Sequence, residues 1–340
     1  MTRTVLVTGA NGYIGNAVCL SFIRSGWTVY GLVRQVDATP SLAREEIIPV
    51  LGSPGDCSFL PALLEQQRTF DVIVSTTEQV FDYEPHFQDI IATARTIAES
   101  SNASGVRPLL VFTSGCKDYG MTSRADSSAL SPHTEESPLN PPSVLIPRAM
   151  NAIKVFEHRD VFDAVVVRPT TVYGKSSSYY GAFLELAQLA REQDAPLKLP
   201  AHPKSVVHGT HVDDCADGYV RIAEADRRTV ASQCYNISGW RYETLDEVAE
   251  ALVKEYGITK GVIYEPPKKE GFGSFDVVGM LTGFSQWVSS EKLRQETGWK
   301  DRRLLFSQGV KSYRIAYEQA VRDGHSNVLR VKEYIRQTGN

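Results

Sequence analysis

The stretch TVLVTGANGYIG at residues 4–15 constrains this chain more than any other. It begins with a short β-branched run, and Ile14, Val18 and Phe22, four apart, then give the following segment helical periodicity. Gly9, Gly12 and Gly15 fall between strand and helix. In that arrangement the first glycine permits a tight turn and the second lets backbone approach a pyrophosphate. The third lets the helix pack closely on the strand. A helix N-terminus placed there offers free N–H groups and positive potential to the phosphates.

Further strands are predicted at 27–34, 47–51, 70–77, 108–115 and 163–169, with helices at 57–67, 87–103 and 145–159 between them. FDVIVSTT (70–77) and PLLVFTSG (108–115) are apolar enough to be covered on both faces. Alternating strands and helices imply right-handed crossovers, and so an α/β fold: a Rossmann-type doubly wound parallel sheet. Beyond residue 175 the alternation loosens. A helix is expected near 181–193, another after HVDD (211–214), a strand at 234–238 and a helix from Thr244. EPPKKEGFGSFD (265–276) reads as a loop, and a C-terminal helical run begins near 305. We expect a dinucleotide-binding Rossmann domain over 1–175. A smaller C-terminal substrate lobe over 176–340, with some return to the first domain, should lie over the sheet's C-terminal edge.

With 340 residues, 42% of them hydrophobic, the chain can build such a core. A net charge of −4 with no basic run argues against nucleic acid and anionic membranes as partners. No apolar run approaches the roughly 20 residues that span a bilayer. Cys19, Cys57, Cys116, Cys215 and Cys234 are scattered, odd in number and never paired as CxxC. That speaks against a disulfide framework or a structural zinc, and for a reducing, cytoplasmic setting. The sequons at Asn102 and Asn236 then carry no meaning. Arg34 closes the second strand, where an acidic residue would grip a ribose 2′-hydroxyl. An arginine there suits a 2′-phosphate, so NADP(H) is favoured, with Asp37 near enough to keep NAD(H) open.

TGANGYIG, GLVR, PGD (54–56), DVIVSTT, VFTSGCKDYG, the Lys154–Glu157 pair, VVRPTTVYG (166–174) and HVDD follow one another along nearly the whole chain. Their order and spacing resemble the extended short-chain dehydrogenase/reductase family of NAD-dependent epimerases, dehydratases and reductases, and SSEKLRQETGWK (289–300) is similar to its C-terminal signature. The resemblance implies that Gly9, Asn11, Gly12, Tyr13, Ile14 and Gly15 form the pyrophosphate turn. It implies that Asp56 and Cys57 meet adenine, and that Ser75, Thr76 and Thr77 pass beside the nicotinamide ribose. Thr113 and Ser114 would end the fifth strand beneath the nicotinamide, Pro169 and Val172 would face the carboxamide, and Lys154 would hold the ribose hydroxyls. It also implies a homodimer through 87–103 and 145–159.

The family's active centre is Tyr-x-x-x-Lys with a strand-five serine or threonine, the tyrosine moving the proton. Four residues before Lys154 this chain has Met150, and the usual serine position falls on Gly115, beside Ser114. Methionine moves no proton. Another side chain could supply the acid, from SSSYYG (176–181), with Tyr179 or Tyr180, or from the loop around Tyr83 and His86. Alternatively the protein performs non-redox chemistry with the dinucleotide as a structural element, or it only binds the dinucleotide. Lys154 and Ser114, with Tyr179, are the candidate catalytic residues. His208, His211, Asp213 and Asp214 have metal-like spacing, but HVDD reads better as a helix opening with an aspartate N-cap, so no metal is expected. Phe272, Phe275, Phe284 and Trp287 either line a substrate pocket or form lobe core. VVHGT (206–210) brings no basic side chain before His211, and Lys204 lies farther back. A small substrate less charged than a nucleotide sugar, a carbonyl or polycyclic metabolite, fits that best.

Overall fold

The computed structural model describes residues 3–265 and 277–338. Six of the expected strands form: β1 (Thr4–Thr8), β2 (Thr28–Val33), β3 (Ile48–Leu51), β4 (Val72–Ser75), β5 (Leu109–Thr113) and β6 (Asp163–Pro169). The strand Gln233–Ile237 joins them outside β6, giving the order Gln233–Ile237, β6, β5, β4, β1, β2, β3, with every neighbouring pair parallel. β1 therefore marks the point where the strand order reverses. Such a point opens a crevice at the strands' C-terminal ends, and Thr8 there is level with Leu32 and Ser75.

Helices cover both faces, which is why the strands read as continuous apolar runs. On one side α1 (Tyr13–Arg24) packs against the later helix Val212–Glu224, with Val18, Phe22, Tyr219 and Trp299 buried between helices and sheet. α2 (Thr39–Arg44) lies on this side too, toward the β3 edge, with Leu42 in the same core. On the other side lie α3 (Leu60–Gln66), α4 (Tyr83–Ala103) and α5 (Ile146–Ala152). Phe87, Ile91, Ile97 and Ala152 fill that layer. A separate core gathers Tyr173, Tyr180, Phe183, Leu252, Phe306 and Tyr313 from the helices Gly181–Glu192, Leu245–Tyr256 and Phe306–Arg322 and the strand Thr171–Tyr173.

Three local expectations are corrected. The helix expected over 145–159 breaks after Ala152 and continues as a 3₁₀ turn at Ile153–His158. The angular step rises from 100° to about 120° per residue, so Val155 is buried, while Ile153 is exposed and Phe156 only partly buried. The helix at Val212 is capped by His211, whose Nδ1 accepts from the Asp213 amide at 3.1 Å, and not by an aspartate. The C-terminal run is two helices, Phe306–Arg322 and Ser326–Thr338, separated at Gly324, where φ is +63°. The expected loop at 265–276 lies, beyond Glu265, outside the described residues, as do Phe272 and Phe275.

Candidate active site

The TGANG turn folds as its glycines require. Gly9 has φ +69°, and a Cβ there would meet the Thr77 methyl at 2.9 Å. A Cβ on Gly15 would lie 2.1 Å from the Gly9 carbonyl oxygen, so helix and strand pack at a distance only glycine allows. Gly12 is the N-cap of α1. Tyr13 ties the turn to the loop after Thr171–Tyr173 by donating from its hydroxyl to the Gly174 carbonyl at 2.7 Å.

A groove runs over this turn in two halves. The first, about 370 Å³, is lined by Gly9, Asn11, Leu32, Arg34, the Gly52–Gly55 loop, Thr77 and His86. The second, about 410 Å³, is lined by Tyr13, Ile14 and Gly15, the Ser114–Lys117 turn, Arg148, the Pro169–Val172 segment and Tyr179. Gly12, Thr76, Glu78 and Arg330 line both halves. Two buried polar atoms beside the first half, Thr77 Oγ1 and His86 Nε2, have no partner. Two compartments joined at a glycine backbone and a helix N-terminus, with polar atoms left over, fit a dinucleotide.

Of the residues singled out from sequence, Gly9, Asn11, Arg34 and Thr77 stand in the first half. Tyr13, Ile14, Gly15, Ser114, Pro169, Val172 and Tyr179 stand in the second, and Gly12 and Thr76 in both. Thr76 Oγ1 donates to the Thr8 carbonyl at 2.6 Å, fixing the wall. Ser75 is buried, and Thr113 Oγ1 hydrogen-bonds the Tyr219 hydroxyl at 2.9 Å; neither lines the groove.

Other placements depart from the expectation. The Gly52–Gly55 backbone forms the wall where Asp56 and Cys57 were sought. Asp56 instead accepts from the Ser58 amide at 3.0 Å, a bond that lowers its pKa, and Cys57 is exposed with its thiol toward the Pro54 carbonyl. Lys154 does not reach the groove: its Nζ lies 3.6 Å from Glu84 Oε2 at the surface, and Met150 is 52% exposed. Tyr180 is fully buried in the lobe core, Tyr83 is buried at the start of α4, and His86 lines the Arg34 half; none of the three lines the Ser114 half.

Sequence reasoning missed the charged residues around Ser114. The Ser114 hydroxyl donates to Asp118 Oδ2 at 2.5 Å, and Arg148 donates to Asp118 Oδ1 through Nε at 3.0 Å and Nη2 at 2.7 Å. Arg148 Nη1 reaches Glu78 at 2.9 Å, and Arg168 Nε lies 3.7 Å from Asp118 Oδ2. Asp118 and Arg168 are buried. Burial opposes the charge on Arg148, yet Asp118 and Glu78 hold its pKa above the ordinary value. With its proton given to a carboxylate, Ser114 is left as an acceptor toward the groove. Lys117, also on the wall, donates to the Met280 carbonyl at 2.9 Å with its ammonium 4.1 Å from the Phe284 ring centroid. Burial lowers its pKa to about 7. Apart from Ser114 and Asp118, which are four residues apart, these hydrogen-bonded partners lie from 30 to 163 residues apart, and no local pattern signals them.

Phe284 thus forms part of a buried cluster with Leu145 and Met280 behind the groove, while Trp287 packs on Tyr242. His208 bridges the Gly239 carbonyl and the Val288 amide, and among the described residues no three His, Cys, Asp or Glu side chains converge as a metal site would need. Among those residues no helix is long and apolar enough to cross a membrane.

Residues 5–238 match the model of the NAD dependent epimerase/dehydratase family. UDP-glucose 4-epimerase 2 of Oryza sativa subsp. japonica is 24% identical over 334 residues, covering 88% of this chain and 78% of that protein. UDP-arabinose 4-epimerase 1 of Arabidopsis thaliana is 22% identical, covering 87% and 74%. The structure of UDP-glucose 4-epimerase from Thermotoga maritima with UDP-glucose superposes with a TM-score of 0.71 at 18% identity, over 94% of this chain and all of that one. The dTDP-glucose 4,6-dehydratase of Bacillus anthracis, in complex with NAD, gives 0.70 at 20% identity over 94% and 97%.

Proposed function

The chain belongs to the NAD dependent epimerase/dehydratase family, and from that premise we propose that it is an enzyme using a nicotinamide dinucleotide to oxidise or reduce a carbonyl or hydroxyl carbon of a small metabolite. The observation that carries this reading is the two-part groove joined at Gly12, with Ser114 and Lys117 together at one end. The nicotinamide, when bound, supplies a hydride acceptor or donor. The chain does the rest. Backbone at Gly12 and the α1 N-terminus hold the pyrophosphate. Ser114, oriented by Asp118, accepts a hydrogen bond from a substrate hydroxyl. Lys117 or Tyr179 moves the proton that the family entrusts to tyrosine. Lys117 is the better choice, because a pKa near neutrality lets one group both give and take a proton.

The epimerase names of the relatives favour a second reading, in which the hydride returns to the same carbon and no net redox occurs. Substrate-driven loss of NADPH supports the reductase; product formed only with the oxidised dinucleotide and with no net change in it supports the epimerase, and product formed with either form unchanged supports chemistry in which the dinucleotide is only structural.

NADP(H) is our preferred cofactor, although solved neighbours were determined with NAD. Arg34 stands on the groove wall, whereas Asp37 sits on the exposed turn Val36–Ala38. A guanidinium meeting a 2′-phosphate makes a charge-assisted contact. Fluorescence titration should show tighter NADPH than NADH binding, and Arg34→Asp should reverse that order. Unchanged curves after the exchange would remove the NADP(H) assignment, and no binding of either dinucleotide would remove the whole reading.

A further inference from the structure

The helix Ser326–Thr338 doubles back after Gly324, and its buried side anchors it to the lobe. Val328 and Val331 are buried, Asn327 Nδ2 donates to Ser176 Oγ at 3.1 Å, and Lys332 Nζ lies 3.3 Å from Glu185 Oε1. These contacts set the rotation of the helix. They leave Ser326 on the wall of the Arg34 half, Asn327 and Val331 on the wall of the Ser114 half, and Arg330 on both.

Arg330 therefore stands where the halves join, beside Gly12 and Thr76. No carboxylate among the described residues pairs with it, whereas Lys332, on the same helix, and Arg148, on the same wall, both have acidic partners. A guanidinium over a groove without an acid is a site for an anion, and its planar fork suits two oxygens of a phosphate. Gly12, at the start of α1, lines the same two compartments as Arg330, and a helix N-terminus leaves backbone N–H groups free for an anion.

We propose that Ser326–Thr338 is a clasp over the bound dinucleotide, with Arg330 pairing with the pyrophosphate held at the glycine turn. This rests on the reading of the groove as a dinucleotide site. Because the helix contributes to both walls, the ligand is enclosed at its middle, and release requires the clasp to lift. Arg34 and Arg330 then have separable duties: Arg34 discriminates between the dinucleotides, and Arg330 strengthens both.

The test uses the full chain and four probes: NADPH, NADH, ADP-ribose, which carries the pyrophosphate, and adenosine 2′-monophosphate, which does not. Arg330→Gln should weaken NADPH, NADH and ADP-ribose by ~10- to 100-fold, the usual scale of a charge-assisted contact, mostly through faster release. It should leave adenosine 2′-monophosphate within twofold. Arg330→Lys should recover part of the loss, since charge survives without the fork. Arg330 has no acidic partner among the described residues to lose, so the melting temperature of the free protein should not change. Wild-type affinity for ADP-ribose in Arg330→Gln would overturn the clasp while leaving the dinucleotide reading intact. An equal loss for the probe lacking pyrophosphate would also overturn it. Failure of the wild-type chain to bind any of the first three probes would instead bring down the groove assignment, and the clasp with it.

Discussion

Asp118 decides what the Ser114 end of the groove can do. A carboxylate this buried is stable only because Arg148, Arg168 and Ser114 surround it, and the same contacts take the serine proton out of play. On the reading proposed above, proton transfer falls to Lys117, which is desolvated and has no ion-pair partner among the described residues. The glycine turn was legible in the sequence because its logic is local: three glycines within seven residues dictate their own backbone. Lys117 was not, because its setting comes from Met280 and Phe284 on another segment of the chain. Its pKa can be tested without a substrate. Burial penalises the ammonium, so the reactive neutral amine should predominate above about pH 7, where ordinary lysines remain protonated. Acylation of Lys117, followed by mass spectrometry of its peptide, should rise with a midpoint near pH 7 and flatten above pH 8. Bound NADPH should slow it. Labelling that follows the exposed lysines through pH 9 would end Lys117's candidacy as the proton carrier.

The segment 145–159 shows what periodicity can and cannot reveal. Ala149, Ala152, Ile153 and Phe156 match an α-helical face, and the first two are indeed buried. The change to a 3₁₀ turn at Ile153 is not encoded in the apolar spacing. On the outer side Ile146, Met150 and Ile153, spaced by four and three residues, form an apolar stripe exposed by 47%, 52% and 39%. We infer that this stripe belongs to a homodimer contact formed with α4, which lies against α5. Met150 would then be there for its contact surface, explaining why a residue that moves no proton sits at that position. A charge placed at the centre of such a stripe costs desolvation in the dimer alone. Sedimentation velocity should show the wild-type chain as a dimer and Met150→Lys shifted toward monomer by at least tenfold in dissociation constant. A monomeric wild-type chain would refute the contact.

At the scale of the molecule, the sheet was legible because doubly covered strands are apolar throughout and alternate with amphipathic helices. The lobe was less so, since its ladders have only two or three residues per strand and are held by distant side chains. His208 is one of these. Its Nε2 donates to the Gly239 carbonyl at 3.0 Å and its Nδ1 accepts from the Val288 amide at 3.2 Å, so one neutral ring joins three segments. Burial lowers its pKa to about 4, and burial does the same for His211. Between pH 6.5 and 4 the unfolded chain takes up protons at these rings that the folded chain refuses, so their contribution is complete above pH 6.5 and is lost as pH falls. Asp214 has the opposite sign. Burial raises its pKa to about 6, so the folded chain keeps a proton that the unfolded chain releases above about pH 3.8, and this stabilisation fades as pH rises to 6. The His208 contribution, on the order of 3 kcal/mol, should therefore be lost on acidification across this window. Glutamine at 208 can still accept and donate but does not titrate. Urea midpoints measured from pH 7 to pH 4.5 should therefore fall more steeply for the wild-type chain than for His208→Gln, with the curves separating toward the acid end. Parallel curves would mean that His208 is protonated in the folded chain, and that the bridge between Gly239 and Val288 is not made by a neutral ring.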